Sequence, residues 1–178
     1  MSNFAAAVVR DEKNWTASEV DLTGAADLDD VADRLRDIDS GAEVSLLFVE
    51  SDDAYLVILR LDEGEDLRVF GSDSAFAEES RLGALLVGDI KATVLEIDDL
   101  AGPVTVVPAA ADDDDSETPA ADPDADPIGD ADLLADLGVP ARRLLATCGR
   151  EGMLPADITA ELCRVIGCGD EVEELREA

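Results

Sequence analysis

Three apolar runs separated by short polar turns constrain the fold of this chain more than any other feature. The runs cover residues 44–49, 55–61 and 67–70, and the turns between them are rich in acidic residues. Parallel strands need a crossover connection of a dozen or more residues, so turns this short require antiparallel neighbours. The runs also contain the β-branched and aromatic residues that are enriched in strands. The sequence therefore predicts an antiparallel meander of three strands.

A hairpin and two helices are predicted around this meander. Residues 3–10 and 14–21 flank a short polar turn and are typical of two paired strands. Asp27 is a candidate N-cap for a helix, because apolar residues then recur at three- and four-residue spacing: Leu28, Val31, Leu35 and Ile38. Residues 74–87 predict a second helix, and residues 93–107 fit a strand and a helical turn equally well.

The predicted element order is β-β-α-β-β-β-α, which indicates an α+β domain with a sheet of about five strands and two helices. Profilin-like and longin-type modules resemble this arrangement, with a central antiparallel sheet that supports helices. The likeness is an analogy at the level of the fold and does not fix a function.

The middle of the chain predicts a linker. Residues 108–130 contain nine acidic and no basic residues, together with several prolines. Low hydrophobicity and charge of one sign cannot offset the entropy lost on ordering. We expect an α+β domain over residues 1–107, an acidic disordered linker over 108–130, and a small helical domain over 131–178.

The C-terminal part predicts several helices. They cover Ala131–Leu137, then begin at Pro140, at Pro155 and after Gly169, since proline is accepted in the first turn of a helix. Fewer than about 50 residues form a marginal domain, so docking on the N-terminal domain or on a partner would stabilise it. Eight apolar residues are expected in its core: Leu133, Leu137, Leu144, Leu145, Ile158, Leu162, Val165 and Ile166.

The charge of the chain excludes some classes of partner. Acidic residues number 44 against 13 lysines and arginines, which gives a formal net charge of −31. Nucleic-acid affinity depends on Lys and Arg at phosphates, so direct binding of tRNA or DNA is disfavoured, as is docking on an anionic membrane. A basic protein partner suits the charge. The alternative is a general bias of the host proteome, salt adaptation included.

Sequence signals for targeting point to the cytosol. No apolar run reaches the roughly 18 residues of a membrane-spanning helix. The N-terminal residues lack the basic region of a signal peptide. The chain has three cysteines, Cys148, Cys163 and Cys168, all near the C-terminus. Because their number is odd and they are clustered, they do not resemble the disulfide framework of a secreted protein.

Catalytic motifs are missing. The chain has no histidine, which removes the commonest proton carrier and metal ligand. The cysteines lack the spacing of a zinc knuckle and are expected to be small buried side chains. Asp122, Asp124 and Asp126 imitate the start of an EF-hand loop, but Pro127 replaces its glycine. We predict no catalytic, cofactor-binding or metal-binding residues, and the sequence does not identify the partner-binding ones.

Several segments, in order along nearly the whole chain, carry a family resemblance. The main ones are Asn3–Asp11 followed by Trp15, residues 47–58, and Asp130–Gly138; Met153–Asp157 and the two last cysteines complete the pattern. They resemble the actinobacterial tRNA adenosine deaminase-associated protein family. That resemblance implies association with the enzyme that converts adenosine to inosine at the tRNA wobble position, and it supplies no catalytic residues.

The leading hypothesis is a non-enzymatic accessory or regulatory protein that binds a cytosolic partner, which the resemblance implies is a tRNA adenosine deaminase. Three alternatives remain open. They are an acidic nucleic-acid mimic that inhibits another basic protein, a structural adaptor that self-associates, and an enzyme that uses carboxylates and a metal ion. The oligomeric state is not predicted.

Overall fold

A six-stranded antiparallel sheet forms the centre of the protein, in a computed structural model that describes residues 3–12, 14–51, 54–88, 127–150 and 152–178. The spatial order is β2-β1-β3-β4-β5-β6. Strand β1 pairs with both β2 and β3, so it joins the N-terminal hairpin to the strands that follow α1. The strands are β1 (Asn3–Asp11), β2 (Asn14–Glu19), β3 (Val44–Ser51), β4 (Tyr55–Asp62), β5 (Asp66–Gly71) and β6 (Ile128–Gly129).

Both faces of the sheet are covered. Every one of the eight residues of β3 is buried, although successive side chains of a strand point to opposite faces. One face packs against α1 (Leu28–Ile38), α2 (Phe76–Glu79) and α3 (81–88). The other packs against the C-terminal helices. The result is a three-layer arrangement with helices on each side of an antiparallel sheet.

Helix α1 begins where the sequence predicts. The Asp27 carboxylate accepts a hydrogen bond from the backbone N–H of Asp30 at 2.9 Å, which confirms Asp27 as the N-cap. Val31 and Leu35 are fully buried against the sheet, as their spacing predicts. Helix α1 therefore packs by its apolar stripe and presents its acidic residues outward.

The second predicted helix, residues 74–87, is two helices. Helix α2 ends at Glu79, Ser80 has extended backbone, and α3 follows. Gly83 lies where α3 meets α2, so closely that a Cβ atom there would be 1.9 Å from the carbonyl oxygen of Phe76. Only a glycine allows this contact, and the change of direction at Ser80 brings the two helices together.

The C-terminal part is helical, with differences in detail. A short 3-10 helix (Ala135–Leu137) precedes α4 (Ala141–Cys148), α5 (Pro155–Ile166) and α6 (Gly169–Glu177). The helix expected over Ala131–Leu137 is therefore wrong except for its last turn. Pro155 starts α5 as predicted, whereas Pro140 is the N-cap of α4.

Apolar residues of these helices form one cluster with the sheet. Leu133, Leu144 and Leu162 share it with Phe48 and Ile58 of the central strands. The helical segment thus docks on the N-terminal sheet, which is one of the two surfaces expected to stabilise it. The domain division at residues 107 and 130 stays a prediction.

The sixth strand corrects the expected strand count of about five. Ile128 and Gly129 lie within the predicted linker, yet they pair with Gly71 and Phe70 of β5. The end of that segment is therefore ordered, because backbone hydrogen bonds to β5 replace those to water. Most of the predicted linker, and the ambiguous residues 93–107, lie outside the described residues.

None of the helices described here is long and apolar enough to cross a membrane.

Candidate functional site

The three cysteines are the most nucleophilic side chains of the chain, which contains no histidine to activate them. Cys163 and Cys168 are fully buried, and Cys148 is packed against the same cluster. A hydrogen bond with Cys168, together with burial, raises the pKa of Cys163 far above its ordinary value. Burial raises the pKa of Cys148 to about 12. Because the thiolate is the reactive form, Cys148 and Cys163 behave as unreactive apolar side chains at neutral pH.

Metal ligands do not converge in the described part of the chain, where no group of three or more histidine, cysteine, aspartate or glutamate residues could hold an ion. The structure does bring the three cysteines to one side of the sheet, where Cys163 and Cys168 are buried and Cys148 is partly buried. The EF-hand-like residues Asp122, Asp124 and Asp126 lie outside the described residues.

The single tryptophan and the single tyrosine both pack in the fold. Trp15 lies half-buried against the apolar cluster that the C-terminal helices form with the sheet. The guanidinium of Arg10 lies 5.8 Å from the centre of its ring. The ring of Tyr55 stacks on that of Phe76, with centres 4.9 Å apart. Its hydroxyl donates to Glu79, and this hydrogen bond, with burial, raises the pKa of Tyr55 to about 12.

Arg60 lies buried in β4, with only 5% of its side chain exposed. It donates to the Asp62 carboxylate at 2.9 Å, to the Asp136 carboxylate at 2.8 Å, and to the carbonyl of Leu133. The guanidinium holds the pKa of Asp136 below its usual range. These bonds tie the sheet to the segment before α4, so Arg60 is structural. Its position inside an apolar run gave no signal of a partner 76 residues away.

Most arginines of the described residues are used inside the molecule. Their partners are carboxylates, backbone carbonyls, a sulfur or an aromatic ring, and the arginines concerned are Arg10, Arg34, Arg36, Arg60, Arg68, Arg150 and Arg176. Carboxylates on the outer faces of α1 and α6 are exposed, among them Asp29, Asp37, Glu173 and Glu174. The positive charges thus hold the fold, while the surface carries the excess of negative charge.

A cavity of about 650 Å³ opens at one end of the sheet. It lies between the β2–α1 loop and the junction of α2 with α3. Its apolar lining residues are buried or half-buried: Ala5, Val20, Leu22, Ala25, Leu82 and Leu85. Its charged residues are exposed at the mouth, where Glu19, Asp21 and Glu79 outnumber Arg81. The cavity therefore has an apolar floor and an acidic rim.

Hydrogen bonds fix the walls of this cavity. The Asp21 carboxylate accepts from the backbone N–H of Thr23 at 2.8 Å, and the bonds from Thr23 lower the pKa of Asp21. The guanidinium of Arg34 donates to the carbonyls of Asp21 and Thr23, which holds the loop on α1. Glu79 is held by Tyr55 on the opposite wall. The cavity is a preformed feature of the fold.

Two other surface features are smaller. A cavity of about 460 Å³ lies between α5 and α6, and both Arg164 and Arg176 line it. Leu145 and Leu154 are large apolar residues that are 38% and 46% exposed. Leu145 was predicted in the core of the helical part, and this prediction is wrong.

A protein-family model matches residues 3–169, which include the whole sheet and helices α1 to α5. The model describes the Rv3753c-like tRNA adenosine deaminase-associated proteins. The chain belongs to this family. The match confirms the family predicted from the segments around Trp15, Tyr55 and Cys163.

Neither curated proteins nor solved structures provide a relative of this chain. No curated protein matches the chain, and no solved structure matches its fold. The likeness to profilin-like and longin-type modules therefore remains an analogy, although the central antiparallel sheet with supporting helices is present as predicted.

Proposed function

We propose that this protein is a non-enzymatic accessory protein that binds a tRNA adenosine deaminase in the cytosol. The observation that most directly supports this proposal is family membership across residues 3–169, because the family is described as associated with that enzyme. The protein has three unpaired cysteines, which suits a reducing compartment.

The distribution of charge supports a protein partner with a basic surface. An enzyme that acts on tRNA has to neutralise phosphates with lysines and arginines. The accessory protein presents exposed carboxylates, while most of its described arginines are engaged internally. The two surfaces attract each other, and the acidic one repels tRNA. Binding at the basic surface would compete with tRNA and so regulate the enzyme.

The chemistry of the chain supports a role without catalysis. Zinc nucleobase deaminases use histidine or cysteine ligands, a general acid/base glutamate and an activated water. This chain lacks histidine, and burial raises the pKa values of the Cys148 and Cys163 thiols. The deamination therefore belongs to the partner, and the accessory protein acts through contact.

Titration calorimetry with the purified deaminase from the same organism tests the proposal. We expect a complex at about 50 mM salt that weakens strongly at about 500 mM, where the Debye length is only a few ångströms. Lysozyme, which is small and basic, serves as the control partner. Two folded proteins that fail to associate at the lower salt concentration would disprove the proposal.

One alternative has support from the same charge distribution. An acidic nucleic-acid mimic would inhibit basic proteins other than the deaminase, because exposed carboxylates imitate a phosphate backbone. In that case lysozyme or another basic protein binds as tightly as the deaminase, and DNA competes for all of them. Preference for the deaminase over lysozyme of at least about tenfold, or 1.4 kcal/mol, favours the accessory role.

A further inference from the structure

The cavity between the β2–α1 loop and the α2–α3 junction has the size, shape and charge of a binding site for one kind of side chain. Its volume of about 650 Å³ falls within the range of roughly 300–1,000 Å³ found for ligand sites. We propose that it receives a lysine or arginine side chain of the deaminase, together with an apolar neighbour of that residue. This inference rests on the proposed function and names the contact surface.

The layout of the cavity matches the structure of a long basic side chain. Lysine and arginine have an aliphatic stem and a charged head, and they place the stem on apolar surface while the head stays near water. Leu22, Leu82 and Leu85 supply apolar surface at the base. Glu19 and Glu79 at the mouth are positioned to pair with the charged head.

Other occupants fit less well. An anionic ligand would be repelled by the rim, where three carboxylates face a single arginine: Glu19, Asp21 and Glu79 against Arg81. A purely apolar segment would strip water from these carboxylates without offering them a partner, which is unfavourable. The Glu19 carboxylate in particular has no hydrogen bond or ion pair with any described residue, so this side chain is free to pair with an incoming cation.

The cavity is also rigid enough to select its occupant. Arg34 holds the β2–α1 loop by two backbone carbonyls, and the stack of Tyr55 on Phe76 fixes the other wall. A site whose walls are held before binding loses little conformational entropy when it is filled. The contact therefore contributes to specificity as well as to attraction.

Calorimetry with the purified deaminase distinguishes this contact from general attraction between the two proteins. The double variant E19Q/E79Q removes two rim charges and should weaken binding about tenfold. The variant T23W keeps every rim charge but fills the cavity from its exposed edge, and should weaken binding by a similar factor. The variant R81E adds a carboxylate and should tighten binding several-fold.

The matched control is E43Q/E65Q, which removes the same charge at the opposite end of the sheet. Glu43 and Glu65 are exposed near the β4–β5 turn, and their loss should change affinity less than about twofold. Circular dichroism and melting curves show which variants fold. A wild-type complex that E19Q/E79Q and T23W weaken no more than the control does would overturn this inference and leave the proposed function standing. If the wild-type protein does not bind the deaminase, both fail.

Discussion

Glu50 in the central strand β3 pairs with Arg176 in helix α6, so an ion pair joins the middle of the sheet to the C-terminal helical layer. The Glu50 side chain is only 9% exposed, and the guanidinium of Arg176 also lies 4.6 Å from the ring centre of Phe4. The helix α6 is thus held by a charge and an aromatic ring on two neighbouring strands. This pairing makes α6 part of the folded core.

The variant R176A should lower the free energy of unfolding by about 2 kcal/mol, because it leaves the carboxylate of Glu50 buried without its partner. Urea denaturation followed by circular dichroism measures the change. The control is R164A, since Arg164 is exposed on α5 and should alter stability by less than about 0.5 kcal/mol. Equal stability of the two variants would show that the ion pair contributes nothing.

The bond between Arg60 and Asp136 makes part of the stability depend on pH. The pKa of Asp136 is lowered in the folded state by the guanidinium, so its contribution is present above the unfolded pKa of about 3.9. It is lost as the pH falls through the lower, folded value. We expect D136N to be about 1 kcal/mol less stable at neutral pH, since the carboxylate is 60% exposed and partly screened.

Urea denaturation of the wild-type protein and D136N across the acidic range measures this difference. It should be constant above about pH 5 and shrink as the pH falls below about 4. A difference that does not change with pH would mean that the amide loses packing or geometry, and not a charge interaction.

The variant G83A should be destabilised by about 2–3 kcal/mol, because the added methyl group would overlap the carbonyl of Phe76 and push α3 away from α2. Thermal melting gives the comparison. G88A is the control, since a Cβ atom at Gly88 meets no atom of the described residues within 4 Å. Its stability should equal or slightly exceed that of the wild-type protein. Equal melting temperatures for the two variants would contradict the close helix contact.

Tyr55 is the only tyrosine, so the ultraviolet absorbance of tyrosinate reports its ionisation alone. The hydrogen bond to Glu79 raises its pKa to about 12, whereas the unfolded chain should titrate near 10. The bond therefore stabilises the fold below about pH 10 and is lost as the pH rises toward 12. E79Q should move the folded midpoint back toward 10, and an unchanged midpoint would exclude Glu79 as the cause.

Local patterns predicted much of the fold. The apolar spacing after Asp27 predicted α1, and the runs at residues 44–49, 55–61 and 67–70 predicted three strands to within two residues. These elements were readable because each is specified by neighbours in sequence. Caps, turns and side-chain periodicity all act over a few residues.

Elements that depend on distant partners were not predicted. Ile128 and Gly129 form a strand only because β5 offers backbone groups, and two residues are too few to show alternation. The expected helix at Ala131–Leu137 is mostly a turn, because Leu133 and Leu134 both have to face the sheet. Position relative to the sheet decided these cases.

The candidate site was hidden for the same reason. Glu19 and Asp21 belong to one stretch of the chain, and Glu79 and Leu82 to another about 60 residues away. In the sequence they are indistinguishable from the other acidic and apolar residues of a chain with 44 carboxylates. Only the folded sheet places the two stretches opposite each other.

The C-terminal helices cover one face of the sheet, and this has a consequence during protein synthesis. Phe48, Leu46 and Ile58 leave the ribosome long before Leu144 and Leu162, the side chains that bury them. A nascent chain that ends before residue 131 therefore lacks the C-terminal helices that pack on these apolar side chains. Chaperone binding, or aggregation of truncated chains, should be strongest in that interval and should end when α6 emerges and Arg176 reaches Glu50.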